Sequence, residues 1–421
     1  MNGSEVGCLE RVANGVLRFQ YAEPWLAAPS SPPISLSMPL SPDPYSGERV
    51  WNFFDNLLPD NDEIRRRMQR VLGAESTRPF DLLASAGRDC VGALQLWDGP
   101  EIPDVRRIEA TPVSDGEIAR RLRGYRARPL GMTRADGDFR ISIAGAQEKT
   151  ALLRLRDRWH VPGGATPTTH IFKLPIGPAA SGIDLSDSVE NEWLCLKVAD
   201  AFGLPVPGAE IREFDGLRVL VVERFDRRWS RDGSWLIRLP QEDACQSLGI
   251  SPRSKYEADG GPGVAAILEL LLQSQEPLED RRTFFRALVV YWMLAAIDGH
   301  AKNFSVFLHA AGRCRLTPLY DVLSAHPIVA RGELHARGLK MAMAAVGENR
   351  HYRRDEIHGR HWSSTARAAR YSRDEARQVL EECAGRAPGV VDRVASTLPA
   401  GFPAAVAEPI LEGVGQAAQR L

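Results

Sequence analysis

The chain has 421 residues, 53 Lys and Arg against 54 Asp and Glu, a formal net charge of −1, and 44% hydrophobic and 25% charged positions. That length exceeds what one hydrophobic core usually serves, so two or three domains are expected, and the composition excludes overall disorder. Near-zero charge excludes a protein that coats nucleic acid with its whole surface, while leaving a local basic patch open.

The six cysteines, Cys8, Cys90, Cys195, Cys245, Cys314 and Cys383, contain no CxxC pair, and a disulfide framework is not expected. The opening MNGSEVGCLERVANG has neither a basic nor an apolar leader region, so no secretory signal is expected and a reducing cytoplasm fits. The longest apolar run, residues 287–297, falls well short of the ~18–20 residues that span a bilayer and is expected to be a core helix.

Residues 21–45 are rich in proline and serine, yet Trp25, Ile34, Leu36, Met38 and Leu40 predict a partly packed irregular segment rather than a linker. Val50, Phe53, Phe54, Leu57 and Leu58 recur at helical spacing until Pro59. Asp60 or Asn61 caps the next predicted helix, which runs through Ile64, Met68 and Val71 to Gly73. A helix over 80–86 leads into a predicted strand over 91–96. From residue 138 the texture becomes strand-like, over 139–143, 150–155, 169–174 and 217–225. One helix interrupts these strands, capped by Ser188 or Asp187, with Val189, Trp193, Leu196 and Ala199 on one face and Gly203 as its stop. After Pro240 helices dominate, over 264–272, 281–297 and again beyond 365. A strand-rich lobe followed by a helical lobe is a bilobal arrangement.

The most informative stretch begins at the end of the 281–297 helix. Asp298 and Asn303 carry the D-x4-N spacing that phosphoryl-transfer enzymes use to place a base beside the attacking hydroxyl and a metal ligand beside the phosphates. A predicted hairpin with Gly312 in its turn follows, and Asp321 lies just past it, where a kinase keeps its principal magnesium carboxylate. One Asn oxygen, one carboxylate and ATP oxygens make a reasonable magnesium sphere. Upstream, residues 142–149 lie between two predicted strands, where a phosphate-covering loop belongs. Lys173, in a strand, can meet the α- and β-phosphates, and Glu190 or Glu192 on the following helix can hold it. Residues 221–225 would join the lobes, their backbone meeting the adenine edge. Taken singly, each feature has an ordinary explanation: a loop aspartate, a solvated lysine, surface histidines at His300 and His309. In this order they point to an ATP-dependent kinase.

The runs ISIAGAQEKTALL (141–153), PTTHIFKLPIG (167–177), ERFDRRW (223–229), LPQEDACQSLGI (239–250), KYEADGGPG (255–263), IDGHAKNFSVF (297–307) and LTPLYD (316–321), with FFDNLLPDN (53–61) and FDLLASAGRDC (80–90), resemble the HipA family of serine/threonine kinase toxins over essentially the whole chain. The resemblance implies an α+β, bilobal, protein-kinase-like fold with a mixed α/β N-terminal lobe and an all-helical C-terminal lobe. Its parts would be an antitoxin-docking subdomain over 1–98, a kinase N-lobe over 138–240 and a helical C-lobe over 241–421.

The resemblance further implies a type II toxin–antitoxin module. Asp298 would be the catalytic base, and Asn303 and Asp321 would be Mg2+ ligands. Ala144, Gly145, Ala146, Gln147, Glu148, Lys149, Lys173, Glu223, Phe225, His300, Lys302, Asn303 and Tyr320 would line the ATP site. Ser142 would be autophosphorylated, and phosphate charge there would eject the covering loop. The implied acceptor is an aminoacyl-tRNA synthetase, glutamyl-tRNA synthetase above all, whose modification halts translation and produces growth arrest and persistence. The implied partners are a HipB-like helix-turn-helix antitoxin and, through it, operator DNA, with a cytoplasmic location that becomes nucleoid-associated in that complex.

Two departures stand out. The short strand that usually precedes the segment matching MNGSEVG is missing, and no HRD arginine precedes Asp298, so control by an activation-loop phosphate is not expected. Residues 350–377 are locally basic, and Arg367 and Arg370, one helical turn apart, match family positions that touch DNA phosphates. Two other functions use the same residues: a small-molecule phosphotransferase, and a non-enzymatic corepressor with a degenerate kinase site. Ser142 and the N-terminal unit weigh against the first, and Asp298, Asn303, Asp321 and Lys173 against the second.

Overall fold

The computed structural model describes residues 1–99, 103–124, 149–178 and 182–421. The chain divides into two units. The first comprises Met1–Leu174, Arg212–Arg253 and Val306–Arg313, and the second Pro175–Ile211, Ser254–Ser305 and Cys314–Leu421.

In the first unit, strands Gly7–Arg11, Leu17–Tyr21 and Tyr45–Ser46 form a small antiparallel sheet. Helix Glu48–Asp55 follows the predicted periodicity. Helix Asp62–Leu72 starts where the Asn61 side chain accepts from the N–H groups of Glu63 and Ile64, and ends at Gly73 in the left-handed conformation that glycine adopts without a Cβ penalty. Helix Pro79–Ala86 completes this part.

Residues 91–96, expected as a strand, are irregular. The backbone of Gly92 is claimed by side chains: its N–H donates to Asp226 and its carbonyl accepts from Arg227, so neither group is left for a ladder. A second sheet runs in the order Leu217–Glu223, His170–Lys173, Lys149–Leu155, Arg158–Gly163 and Glu109–Pro112. It is extended at the first edge by strand Ala209–Phe214, which enters this unit at Arg212. The expected strand over 139–143 lies outside the described residues.

One apolar core runs through this unit. It joins Phe19, Tyr21, Phe53, Phe54 and Leu82 to Leu152, Trp159, Phe172, Phe214 and Val221 of the larger sheet. Beside it lies a buried ion cluster. Asp89 accepts from Arg224 (3.3 Å), Arg227 (2.9 Å), Arg238 (3.3 Å) and the Thr168 hydroxyl (2.7 Å), while Asp226 accepts from Arg224 and the Gly92 amide. Burial alone would raise the Asp89 carboxyl, but the three arginines and Thr168 outweigh it and hold it well below the usual carboxylate range.

The second unit is built mainly from helices Ser188–Ala201, Val264–Leu270, Pro277–Met293, Gly359–Ala368, Arg373–Ser396 and Ala404–Ala418. Helix Ser188–Ala201 is buried on almost every side, rather than on the single face expected, because Arg373–Ser396 and Ala404–Ala418 both pack against it. The all-helical expectation for 241–421 needs correction, since strands Gln241–Asp243, Ser305–Leu308 and Cys314–Leu316 fall in that range. Strands Lys340–Val346 and Arg350–Arg353 form an antiparallel hairpin here, where Met341, Ala342, Met343, Ala344 and Ala345 are all buried. Among the described residues, no helix is long and apolar enough to cross a membrane.

Candidate active site

In the strand-rich unit the register decides which side chains share a face. Lys149 pairs with Lys173, and Lys173 pairs in turn with Leu220, so these three side chains point to one side of the sheet. Ala151, Ile171 and Val222 lie on the same face two residues along. The opposite face carries Leu152, Phe172 and Val221 into the core. Two lysines, each less than a tenth exposed, therefore stand side by side on an otherwise apolar surface.

Glu223 pairs with His170 and points to the other face. On the lysine side only its backbone is presented. The ring of Phe225 meets that of Phe307 edge-on at 5.9 Å. Ser142 and residues Ala144, Gly145, Ala146, Gln147 and Glu148 lie outside the described residues.

In the helical unit, helix Pro277–Met293 stops before Ala295, whose φ of 50° turns the chain outward. Asp298 follows with its side chain 60% exposed, while His300, Lys302 and Asn303 are buried. The loop is braced by a reciprocal pair: the His300 N–H donates to the Asn303 side-chain oxygen (3.2 Å), and the Asn303 N–H donates to the His300 carbonyl (2.9 Å). The Tyr320 hydroxyl donates to the Lys302 carbonyl (2.8 Å) and meets the Ser305 hydroxyl, tying the residue before Asp321 to the same loop.

Asp321 itself has a φ of 56°. The segment after it is clamped by Asn191, whose side chain accepts from the Ser324 N–H and donates to the Ser324 carbonyl, both at 2.8 Å. Sequence reading passed over Asn191, although it lies between Glu190 and Glu192; all three are buried on helix Ser188–Ala201. Tyr291 was also missed. Its buried phenol is pushed well above its ordinary range, by burial first and then by the charges of Asp321, Cys195 and Glu192. Tyr256 is a third: its hydroxyl donates to Oδ1 of Asp298, and its ring meets that of His300 edge-on at 5.0 Å.

The donor set suits magnesium. Asn303 and Asp321 offer only oxygen, a fixed amide oxygen and a carboxylate, and a hard cation of this kind keeps its remaining positions for water and phosphate oxygens. Among the described residues, no group of three or more His, Cys, Asp or Glu is arranged to hold a metal, so the tight all-protein cages of structural zinc find no counterpart there.

Arg367 is exposed in the last turn of helix Gly359–Ala368. Arg370 is not on the same helix, as its one-turn spacing had suggested. It occupies the left-handed position of a helix stop, in which its N–H donates to Arg367 and the Tyr371 N–H donates to Ala366. Burial of Tyr371 against Phe285 (5.1 Å between rings) fixes that break.

Comparison with known proteins identifies the family. Residues 1–97 match the HipA N-terminal domain, and residues 141–391 match the HipA-like C-terminal domain. The kinase Y4mE of Sinorhizobium fredii is 36% identical over 332 residues, covering 77% of this chain and 76% of its own. The serine/threonine-protein kinase toxin HipA of Shewanella oneidensis is 27% identical over 304 residues, 69% of this chain and 66% of its own. A solved complex of HipA, HipB and operator DNA from the Shewanella oneidensis MR-1 toxin–antitoxin system shares the fold, with a TM-score of 0.80 at 22% identity over 99% of this chain and 95% of that one. The chain belongs to the HipA family of kinase toxins.

Proposed function

We propose that this kinase transfers the γ-phosphoryl group of ATP to a serine of a protein, as the toxin of a type II toxin–antitoxin module. The observation that carries this reading is the loop after helix Pro277–Met293, which exposes Asp298 while fixing Asn303 through His300. Asp298 takes the proton of the acceptor hydroxyl as that oxygen attacks. Asn303 and Asp321 hold Mg2+, which when bound neutralises phosphate charge. Lys149 and Lys173 meet the phosphates, the apolar face around Ala151 and Val222 covers the adenine, and the backbone at Glu223 and Phe225 meets its edge. His300, Lys302 and Tyr320 shape the loop on which Asp298 and Asn303 sit. Ser142, upstream of strand Lys149–Leu155, is the autophosphorylated residue, and its phosphorylation switches the enzyme off.

The acceptor is an aminoacyl-tRNA synthetase, with glutamyl-tRNA synthetase as the first candidate, so activity arrests translation and growth. A HipB-like antitoxin restrains the toxin, and the pair binds operator DNA with Arg367 and Arg370 on phosphates. The subdomain over 1–98 docks partners, 138–240 is the N-lobe and 241–421 the C-lobe. Family membership and the named HipA–HipB–operator complex of the Shewanella relative support this reading.

Incubation with γ-labelled ATP and magnesium, with and without glutamyl-tRNA synthetase, tests it on the wild type, Asp298→Asn and Ser142→Ala. Label on the synthetase that disappears with Asp298→Asn is the expected result, with Ser142→Ala losing only self-labelling. An unlabelled synthetase beside a self-labelled kinase would overturn the acceptor. Transfer that survives Asp298→Asn would overturn the base.

A further inference from the structure

The motif KYEADGGPG, residues 255–263, has no role in the reading above, yet it packs directly against the catalytic loop. The Lys255 carbonyl accepts from the Ala301 N–H (3.2 Å). The Glu257 carboxylate accepts from the Ala344 N–H (2.7 Å) and lies 3.6 Å from Arg350, which fastens the motif to the Lys340–Val346 hairpin. Gly261 and Gly263 give the close approaches this needs: a Cβ at Gly261 would fall 2.0 Å from the Ser254 carbonyl oxygen, and one at Gly263 would fall 2.4 Å from the Glu257 carboxyl carbon. The motif is therefore a rigid mount, and the side chain it presents to the loop is Tyr256.

We propose that Tyr256 is the positioning residue for Asp298: its hydroxyl holds Oδ1 of the carboxylate, so that Oδ2 alone meets the acceptor hydroxyl. The inference rests on Asp298 being the base. Three groups face that carboxylate or its holder. The Tyr256 hydroxyl donates to Oδ1, His300 Nε2 stands 3.9 Å from the same oxygen, and the Lys255 ammonium lies 5.7 Å from the Tyr256 ring centre. The first two act on the same oxygen, Oδ1.

A carboxylate on an exposed loop otherwise rotates about its own bond, and either oxygen can turn toward solvent. With Oδ1 engaged, the plane of the carboxylate is fixed and Oδ2 is held in one place for the acceptor hydroxyl. In the transfer, the acceptor O–H proton passes to Oδ2, a bond forms between the acceptor oxygen and the γ-phosphorus, and the bond from the γ-phosphorus to the β,γ-bridging oxygen breaks to release ADP. Oδ1 keeps its hydrogen bond to Tyr256 throughout.

Tyr256→Phe keeps the ring against His300 and removes only the hydroxyl. With γ-labelled ATP, magnesium and the full chain as its own acceptor, kcat for self-labelling falls about tenfold, a part of the roughly 100- to 10,000-fold that a well-placed base contributes, while the KM for ATP is unchanged. Wild-type kcat would overturn the proposal. So would a parallel fall in kcat, ATP binding and melting temperature, which marks a merely structural residue. Asp298→Asn separates the two levels. Activity in that variant, or none in the wild type, overturns the base reading and the proposal with it, whereas an inactive Asp298→Asn beside a fully active Tyr256→Phe overturns the proposal alone.

Discussion

Lys149 and Lys173 stand directly opposite each other on adjacent antiparallel strands, and both are buried. Like charges in this position disfavour the sheet, and burial adds a desolvation cost to each. An anion with several charges, such as a nucleotide triphosphate, offsets both. MgATP is therefore expected to raise the melting temperature of the wild type clearly. Lys173→Met and Lys149→Met should each lose most of that rise and increase the KM for ATP by about tenfold, the equivalent of about 1.4 kcal/mol. An equal thermal shift in all three proteins would remove the lysines from the phosphate site.

The Asp89 cluster gives a stability prediction. Asp89 gathers Arg224, Arg227 and Arg238, and Arg224 lies between Glu223 and Phe225, at the expected adenine edge. Asp89→Asn keeps the shape and removes the charge, leaving three buried guanidinium groups with one buried carboxylate fewer. Loss of one partner from such a cluster costs about 3–5 kcal/mol, measurable as a shift in the denaturant midpoint. Because the folded carboxyl is held below its ordinary value of 3.8, its contribution is complete above that value and disappears as pH falls toward the folded one. Asp89→Asn should therefore flatten the acid limb of the stability curve.

Glu242 has the opposite sign. Its carboxyl is fully buried and accepts from the Leu36 N–H (2.8 Å), and burial pushes it up from 4.5 to about 8. Between those values the folded chain binds the proton and the unfolded chain does not. The stabilising contribution is full below about pH 4.5 and is lost as pH rises through about 8. Glu242→Gln keeps the acceptor oxygen and removes the titration, so its melting temperature should fall less than that of the wild type across this window. Parallel curves would show that Glu242 does not carry the effect.

Gly299 sits between Asp298 and His300 with Tyr291 behind it. A Cβ there would lie 2.6 Å from a carbon of the Tyr291 ring, which is itself stacked on Phe304 (5.6 Å). The ring has no room to retreat, so Gly299→Ala should displace the loop and lower kcat by about 100-fold, as misplacement by about 1 Å does. ATP-dependent thermal shifts should survive. Adding Tyr291→Leu, which vacates the ring's space, should restore part of the rate.

The contrast between these residues shows what the sequence made legible. Helix Asp62–Leu72 was readable because cap, periodicity and stop lie within 13 consecutive residues, Asn61 to Gly73. The loop from Asp298 to Asn303 was readable because its chemistry is local. Tyr256 was not, because it reaches Asp298 from 42 residues upstream, through a motif whose glycines look like an ordinary turn. The pairing of Lys149 with Lys173 depends on strand register, and a shift of one residue would have sent one lysine to the opposite face. Residues 91–96 carry a strand-like pattern, but partners such as Asp226, 134 positions away from Gly92, took the backbone groups that a ladder would have used.

Arg370 allows charge and fold to be separated at the basic surface. It adopts φ 50° where a glycine commonly closes a helix, and its carbonyl accepts from Arg281 (2.8 Å). Arg370→Gly removes the guanidinium while relaxing the backbone, so the fold should be as stable as the wild type or more so. If the side chain lies on an operator phosphate in the antitoxin complex, the variant complex should bind all operator sequences more weakly by a similar factor. The slope of log affinity against log salt should fall by about 1, since each phosphate contact releases about one counterion. Arg367→Ala, on the exposed last turn before that stop, should do the same, and the double variant should lower the slope by about 2. Discrimination between operator variants should be unchanged, because phosphate contacts carry no base information. A changed preference among operators would mean that these arginines reach base edges, and an unchanged salt slope would remove them from the DNA surface.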